Sequence, residues 1–433
     1  MIREVRSVKG LVIWALLATS GCATLGPRPV GTEDIPSLQE RAAREPANGE
    51  VHLLLGAALA ADDRCDEAVT SARRGRALRP EDPIGPLIIG ECLEEAGEYD
   101  QALNLYAQFL FEQGDAPGAQ AVEGRRTIAL QLKARAMARD AVQNEETLAP
   151  AEPETVGVLP FVVDGDSVYH TLSVGLAHML TTDLALLRRF PLVERVQLDA
   201  LLRELELAPE LIDPATAART GRLMRASRMI LGTVSVPSGA DTRLGGNIVL
   251  ETGELTEALA TEGALGDILS LEKEFALRIA ESLGYQLSEA ERQRILENQP
   301  ASLAAFLAFS RGLFAEGLGD YEAAAAFYGE ALRADPQYGD AQVRLRGAAG
   351  VGMGQAQIAG LTFPTELGPG AIVGVDPMVN TLASSIMDIA SHQSERATLD
   401  AGSIGTIVDV LMEGSEIFPL LEAIITIIIP ISR

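Results

Sequence analysis

Hydrophobic positions along the first third of the chain recur at helical spacing, and the small residues among them recur at a longer period. Gly56 and Gly90 are 34 residues apart, and so are Ala68 and Ala102. This period is the length of one pair of antiparallel helices, with small residues where the two helices approach closely. Because each pair leaves an apolar face that only the next pair covers, we expect residues 37–142 to form a stack of helical pairs.

A further unit with the same spacing occupies residues 301–345. Gly312, Ala324 and Pro336 have the relative positions of the earlier glycines, alanines and prolines. Both regions resemble the tetratricopeptide repeat, which implies a helical surface for binding proteins. Since a lone unit cannot bury its own apolar face, we expect it to pack on the adjacent domain or on a neighbouring chain.

Between the two helical regions, short apolar strands alternate with helices. The apolar runs Val156–Val163, Phe190–Arg195 and Met229–Val236 predict strands. Leucines three and four residues apart from Leu172 to Leu187 predict one of the intervening helices. We therefore expect a compact α/β domain at residues 155–290, and the fold class of the whole chain is multidomain α+β.

The order of these elements, with the segment Pro191–Arg195 and the turn Glu251–Glu254, resembles the periplasmic domain of CsgG-type curli-secretion lipoproteins. The resemblance covers about residues 155–290 and implies an oligomeric outer-membrane pore. In that family the membrane-crossing strands come from long insertions. The connections here, 206–213 and 237–243, are too short to supply a hairpin of spanning strands, which need about 9–11 residues each. We carry over the domain fold and the periplasmic setting, but not the pore.

The N-terminal segment has a basic start, a short apolar run and small residues, a pattern typical of a secretory signal. Cys22 follows the small residues and resembles the acylated cysteine of bacterial lipoproteins. This implies a signal peptide at residues 1–21 and lipid attachment at Cys22; an ordinary signal peptide is the alternative. Ala23 favours the outer membrane, so we expect a lipid-anchored protein on its periplasmic face. Residues 22–36, rich in glycine and proline, predict a tether.

Two further segments join the predicted domains. Residues 143–154 are acidic and rich in alanine and proline, which predicts a linker. The helix predicted at 119–142 carries the main basic stretch of the chain, which is either a solvated face or an intramolecular dock for an acidic surface. Its basic residues are Arg125, Arg126, Lys133, Arg135 and Arg139.

Residues 346–433 predict a glycine-rich linker and a tail of helix and strand. Gly347–Gly354 reads as flexible, because no clear strand and helix flank its glycines as they would in a phosphate-binding loop. The tail ends in the strongly β-prone run Ala423–Ile431. We expect this run to be buried as a strand, either in its own domain or against a partner.

The composition narrows the classes of partner. An apolar content of 47% is enough for several cores, and the formal net charge is −26. Such a charge disfavours nucleic acid, which is bound by clustered lysine and arginine, and makes a basic protein the better electrostatic partner.

Few residues suggest chemistry. Cys65 and Cys92 remain as an even pair in an exported chain and can form a disulfide. Asp164 and Asp166 are paired acids in a turn, and no nucleophile motif or metalloprotease motif accompanies them. We expect no metal, no cofactor and no enzymatic activity. The histidines are scattered, at His52, His170, His178 and His392.

Together these patterns predict a lipid-anchored periplasmic scaffold that binds protein partners of the cell envelope. They are also compatible with self-association into a homo-oligomer. One alternative is a component of an outer-membrane secretion or curli-type export complex. Another is a lipid-anchored enzyme or ligand-binding receptor.

Overall fold

The computed structural model describes residues 30–166, 169–237, 242–256 and 258–359, all of which belong to one compact unit. The predicted lipid site at Cys22 and the predicted terminal strand lie outside these residues. The strands are β1 (Glu152–Val158), β2 (Val162–Gly165), β3 (Ala226–Val236), β4 (Thr242–Leu250) and β5 (Leu259–Gly263).

Helices precede and follow this sheet, as the fold class predicts. They are α1 (Ile35–Arg44), α2 (Gly49–Ala60), α3 (Cys65–Leu78), α4 (Ile84–Glu95), α5 (Tyr99–Gln113), α6 (Ala119–Gln143), α7 (Leu172–Leu187), α8 (Arg195–Glu204), α9 (Pro214–Leu223), α10 (Ile268–Ser282), α11 (Glu289–Glu297), α12 (Leu303–Leu318), α13 (Tyr321–Ala334) and α14 (Gly339–Ala359).

The N-terminal helices stack as consecutive antiparallel pairs, with α2 against α3 and α4 against α5. The periodic small residues lie at the close approaches that their spacing predicts. A Cβ on Gly90 would overlap the ring of Tyr106, which is fully buried. The glycine thus makes room for the largest buried side chain of the stack.

Helix α6 joins this stack to the α/β domain. Its first half completes the core beneath α4 and α5, and its second half packs on α8 through Ala134 and Ala138. On the predicted basic stretch, Arg125 and Lys133 bind carboxylates of α4 and α5, while Arg135 and Arg139 are exposed. Arg125 and Lys133 therefore act as the predicted intramolecular dock for acidic side chains.

The sheet has the order β1-β3-β4-β5, and β2 also pairs with β3. The pairing of β1 and β2 with β3 is parallel, and the other two pairings are antiparallel. Helices α7 and α10 cover one face, and α8 and α9 cover the other. The α/β domain is therefore a sheet between two helical layers.

Two strand predictions were wrong in detail. The run Val156–Val163 is divided between β1 and β2 by Leu159-Pro160-Phe161, because proline has no N–H to donate to a sheet. Phe190–Arg195 forms only a single bridge, between Leu192 and Val156, before α8 begins. The predicted linker at 143–154 also ends earlier than expected, since Glu152 already belongs to β1.

The C-terminal pair α12 and α13 packs on the α/β domain through α7, one of the two alternatives predicted for it. Phe306 of α12 enters the same core as α7 and α10. Helix α14 follows and packs along α6, where Gly124 and Gly350 bring the two backbones into contact. The two helical regions thus contact each other through α6 and α14.

The prediction of a flexible linker from Gly347 was wrong for the described residues, which continue α14 to Ala359. Glycine is a poor helix former in water, so the repeated glycines disfavour a helix here on local grounds. The reason is tertiary, because Gly347 and Gly350 lie against α6 where a larger side chain would not fit.

Both helical regions contain the same buried polar triad. In the first, the Tyr106 hydroxyl donates to Glu94 at 2.6 Å and the Arg125 guanidinium lies 2.8 Å from the same carboxylate. The second repeats this arrangement in α12, α13 and α14, where Tyr328 donates to Glu316 at 2.6 Å and Arg344 donates to it at 2.7 Å. Each triad ties a helical pair to the helix that follows it.

Among the residues that the structure describes, no helix combines the length and the apolar character needed to cross a bilayer.

Candidate functional site

Cys65 and Cys92 lie in the N-terminal stack. Cys65 begins α3 and Cys92 lies near the end of α4, and the structure joins them in a disulfide. The bond connects two successive helical pairs, so it acts as a covalent clamp on the stack. It lies among apolar side chains and contributes no chemistry to a pocket.

The histidines do not converge. His52 lies in the N-terminal stack, His170 is exposed before α7, and His178 is mostly buried within α7. His392 lies outside the described residues. Within the described ranges, no three side chains of the metal-binding types come together.

A polar cleft of about 400 Å³ lies between α7 and the two loops that flank the C-terminal helical pair. Helix α7 contributes His178, Met179 and Thr182 to its wall. The other walls are residues 297–301, which lead into α12, and the loop that runs from Asp335 to Asp340. The α/β domain and the terminal repeat therefore build this cleft together, a location where ligand sites commonly occur.

His178 and Asp340 join the two walls of the cleft. The Nε2 atom of His178 lies 3.0 Å from Oδ2 of Asp340, and the imidazole packs on Phe309 with 5.2 Å between ring centroids. Burial lowers the pKa of His178, and the nearby guanidinium groups of Arg344 and Arg195 act in the same direction. The ring is therefore neutral at pH 7 and donates its N–H to a carboxylate whose pKa this hydrogen bond lowers.

A buried ionic cluster stands directly behind the cleft. Asn298 lines the cleft and donates to Asp183 at 2.7 Å, and Asp183 lies 2.6 Å from the ammonium of Lys273. Lys273 also contacts Glu272 at 3.0 Å, and all three charged side chains are almost completely excluded from solvent. Burial, together with the charge of Asp183, raises the pKa of Glu272 well above its usual range. Burial also raises the pKa of Asp183, while Lys273 and Asn298 oppose that rise, so one lysine faces two carboxylates that burial disfavours in their charged forms.

Tyr338 lines the cleft from the loop that leads into α14, directly before the first residue of that helix. Its ring packs on Phe309, with 4.8 Å between centroids. Burial raises the pKa of its phenol, and the charges of Asp340 and Asp335 raise it further. The hydroxyl is therefore protonated at all physiological pH values and can act as a hydrogen-bond donor or acceptor toward the cleft.

The sequence patterns did not single out the residues of this cleft, apart from noting His178 as one of four scattered histidines. Asp335 and Pro336 end a helical pair, and Glu272 and Lys273 stand in an ordinary amphipathic helix. Asp183 and Glu272 are a signal that the sequence does contain, because each places an acidic side chain on the buried face of its helix, α7 or α10. A charge at such a position is rare unless it is paired.

A second, more apolar depression lies over α2, between α1 and α3. Its floor is formed by Leu55 and Leu59, and its rim carries Asp66, Thr70 and Arg74. This groove belongs to the N-terminal stack alone, so it is separate from the cleft beside α7.

Three comparisons with known proteins bear on these observations. Residues 137–261 match the family model described as the curli production assembly/transport component CsgG. The comparison with curated proteins found no match.

Among solved structures, one match is a chain from the "Structure of Naa15/Naa10 bound to HypK-THB", at 13% identity and a TM-score of 0.20. The alignment covers 75% of this chain and 52% of that chain, so this protein spans about half of that chain's length. At this TM-score the likeness supports no conclusion about fold or function. The family match runs from the end of α6 to β5, and with the sheet and helices described above it shows that the chain contains a CsgG-like domain.

Proposed function

We propose that this protein is a lipid-anchored scaffold on the periplasmic face of the outer membrane, and not an enzyme. In this role it assembles envelope proteins around its CsgG-like domain. The observation that carries the proposal is the packing of repeat helices on both sides of that domain, through α6 on α8 and through α12 on α7. A partner held by the helices is therefore held at a constant position relative to the CsgG-like domain.

The resemblance of the helical pairs to tetratricopeptide repeats supports protein binding as the function of the layer. The groove over α2 is the surface of the N-terminal stack best suited to it. Its apolar floor offers burial to a partner side chain, and its rim of Asp66, Glu67 and Arg74 offers charged contacts. A helix or extended segment of an envelope protein is the kind of partner that such a groove accommodates.

The anchor is tested at Cys22. The Cys22→Ser variant removes the thiol that would be acylated, while the signal sequence before it is unchanged. We expect the variant to appear in the soluble periplasmic fraction and to lose incorporation of labelled palmitate. Unchanged membrane association without label would show that another segment holds the protein at the membrane.

The scaffold role is tested with a pair of surface variants in the lipid-anchored full chain. Thr70→Lys adds a long charged side chain to the groove over α2, whereas Asn104→Lys adds the same side chain on the exposed face of α5. After cross-linking in intact cells, we expect Thr70→Lys to lose the envelope proteins that co-purify with the wild type, and Asn104→Lys to retain them. Equal recovery from both variants would rule out the groove as the binding surface.

A second candidate is a component of a secretion or curli-type export complex. The observation that favours it is the family match, because the description of that family names assembly and transport. Deletion of the protein would then reduce the amount of an exported fibre subunit at the cell surface. Normal export in the deletion strain, with loss of an envelope complex, would favour the scaffold role alone.

A further inference from the structure

A cavity of about 300 Å³ lies where the second half of α6 packs on the CsgG-like domain, beside the end of α9 and the start of β1. Seven of its twelve lining residues are alanine, leucine or methionine. Three of them, Ala134, Ala138 and Ala141, belong to α6, and their short side chains leave the space open. The cavity is therefore largely apolar, and it is separate from the cleft beside α7 and from the groove over α2.

One wall of this cavity contains a buried hydroxyl whose bonding the chain does not complete. Thr155 of β1 lines the cavity and is only 7% exposed. Its neighbour Val156 belongs to the core beneath α7 and α10, so the alternation of a strand places Thr155 on the opposite face, toward α6. Among the residues that the structure describes, nothing accepts from or donates to its Oγ1 atom. Since nearly every buried hydroxyl of a native protein is hydrogen-bonded, this one is available to a group that enters the cavity.

The charged side chains of the lining are already engaged, and they lie at its exposed rim. Arg225 pairs with Glu152 at 3.0 Å, and about half of each side chain is exposed. Asp140 accepts an N–H of Asn144 at 2.8 Å and is exposed as well. The buried part of the cavity therefore offers apolar surface and one neutral hydrogen-bonding group, which favours an uncharged ligand.

Two methionines narrow the shape of that ligand. Met137 lines the cavity from α6 and Met224 lines it from the end of α9. Thioether groups adapt to irregular shapes and make favourable contacts with aromatic rings. A phenol or an indole combines such a ring with one polar atom, which is the combination that this lining provides for. A volume of about 300 Å³ is at the lower end of the range for ligand sites and is sufficient for one substituted ring.

We propose that this cavity binds an aromatic ring that carries a hydroxyl or an N–H group, with the ring beside Met137 and Met224 and its polar atom on the Thr155 hydroxyl. Rotation about a single side-chain torsion exchanges the methyl and hydroxyl positions of a threonine, so Thr155 can turn its hydroxyl toward the ring. The ring would come either from a tyrosine or tryptophan of a protein partner or from a free phenol or indole. This binding is independent of the groove over α2 and of the scaffold role.

The proposal is tested by nuclear magnetic resonance of the methionine methyl groups in the full-length Cys22→Ser chain, which lacks the lipid. The probes are p-cresol, toluene, which has the same ring and methyl group without the hydroxyl, and the tripeptide acetyl-Gly-Tyr-Gly-amide. We expect p-cresol to shift the methyl signals of Met137 and Met224, which the variants Met137→Leu and Met224→Leu assign. Tighter binding of the tripeptide than of p-cresol would identify a protein side chain as the source, and the reverse order would identify a free phenol.

Two substitutions locate the binding. Thr155→Val keeps the shape of the side chain and removes its hydroxyl, so we expect it to weaken p-cresol about tenfold, the equivalent of about 1.4 kcal/mol, and to leave toluene unchanged. Without ligand, its thermal midpoint should be unchanged or higher, because the hydroxyl has no hydrogen bond to lose among the described residues.

Ala141→Leu fills the cavity and should abolish the binding of p-cresol and of toluene, which keeps the test valid if Thr155→Val unfolds. Ala107→Leu, on the exposed face of α5, is the matched control and should bind as the wild type does. The proposal would be overturned by the absence of shifts at both methionines in millimolar p-cresol. Equal effects of Thr155→Val on p-cresol and toluene, or unchanged binding in Ala141→Leu, would overturn it as well.

Discussion

The N-terminal stack and the C-terminal helical pair use the same buried triad but are completed by different means. In both regions the next helix in the chain supplies the arginine, but in the N-terminal stack a disulfide also clamps two successive pairs. The C-terminal pair has no cysteine and is covered by α7 of the CsgG-like domain. One region therefore has local and covalent support, and the other depends on a neighbouring domain.

The spacing of the two triads differs by one helical turn. Arg125 follows Glu94 by 31 positions, and Arg344 follows Glu316 by 28. Because three to four residues make one turn, both arginines reach the same kind of carboxylate from helices of different register. The chemistry of the triad is therefore retained although the arginine is supplied from a position about one turn earlier in the second region.

The largest effect on the stability of the two helical regions is expected from replacing the arginine of each triad. Arg125→Met and Arg344→Met each leave a buried carboxylate with only a tyrosine hydroxyl as its partner, which should cost about 3 kcal/mol or more. Arg125→Met should have the larger effect, because Arg125 also lies 3.4 Å from Glu91. Hydrogen exchange measured by peptide should show the loss in α4–α6 for one variant and in α12–α14 for the other. The same loss throughout the chain for both would show that the two regions unfold together.

The second-largest effect is expected from removal of the disulfide, which is found in the N-terminal stack alone among the described helical regions. Replacing both Cys65 and Cys92 by serine should cost the N-terminal stack about 3 kcal/mol, from the chain entropy of a loop closed over 27 positions. Exchange in α12 and α13 should be unchanged. Mass mapping of the wild type without reductant is the control, and two free thiols would contradict the clamp itself.

The junction between the regions is tested by adding one methyl group. A Cβ on Gly124 would overlap the backbone of Gly350, so Gly124→Ala should destabilise the α6–α14 contact by about 2 kcal/mol. Gly352→Ala is the matched control on α14, because a Cβ there has open space, and it should be neutral or stabilising by about 0.5 kcal/mol. Thermal unfolding of the two variants measures the difference. Equal midpoints would mean that the helices separate at little cost.

The smallest effect concerns the CsgG-like domain that lies between the regions. The pKa of Glu272 is raised in the folded protein, so the native state binds more protons than the unfolded chain above the ordinary glutamate range. Stability from this group is therefore lost as the pH rises from about 4.5 through the folded pKa. Glu272→Gln should remove that loss and raise the free energy of unfolding by about 1 kcal/mol at pH 8, with little change at pH 4. A variant less stable than the wild type at pH 8 would show that Glu272 is ionised and needed by Lys273.

Particular elements show how far the sequence pattern reaches. Leucine spacing predicted α7, and the structure has a helix there from Leu172 to Leu187. The single strand predicted at Val156–Val163 and the linker predicted at Gly347 were wrong. The first failure has a local cause, because Pro160 interrupts the run, whereas the helix around Gly347 depends on its distant partner α6.

The candidate site was less accessible to prediction than the fold. The lining of the cleft comes from α7 and from two loops more than 100 residues later in the chain. Tyr338 and Asn298 carry no local signature of binding. Their roles arise from what surrounds them, which no periodicity encodes.

The sequence by itself determined the 34-residue helical period, the order of strands and helices in the α/β domain and the excess of negative charge. These are local or additive properties, because helix and strand periods depend on residues within a few turns, and charge is a sum. Only the tertiary structure decided that α14 closes against α6, that Asp183 pairs with Lys273, and that three distant segments enclose one polar cleft. An apolar helix face in the sequence predicts that some partner covers it. Which partner does so depends on shape and packing across the whole chain.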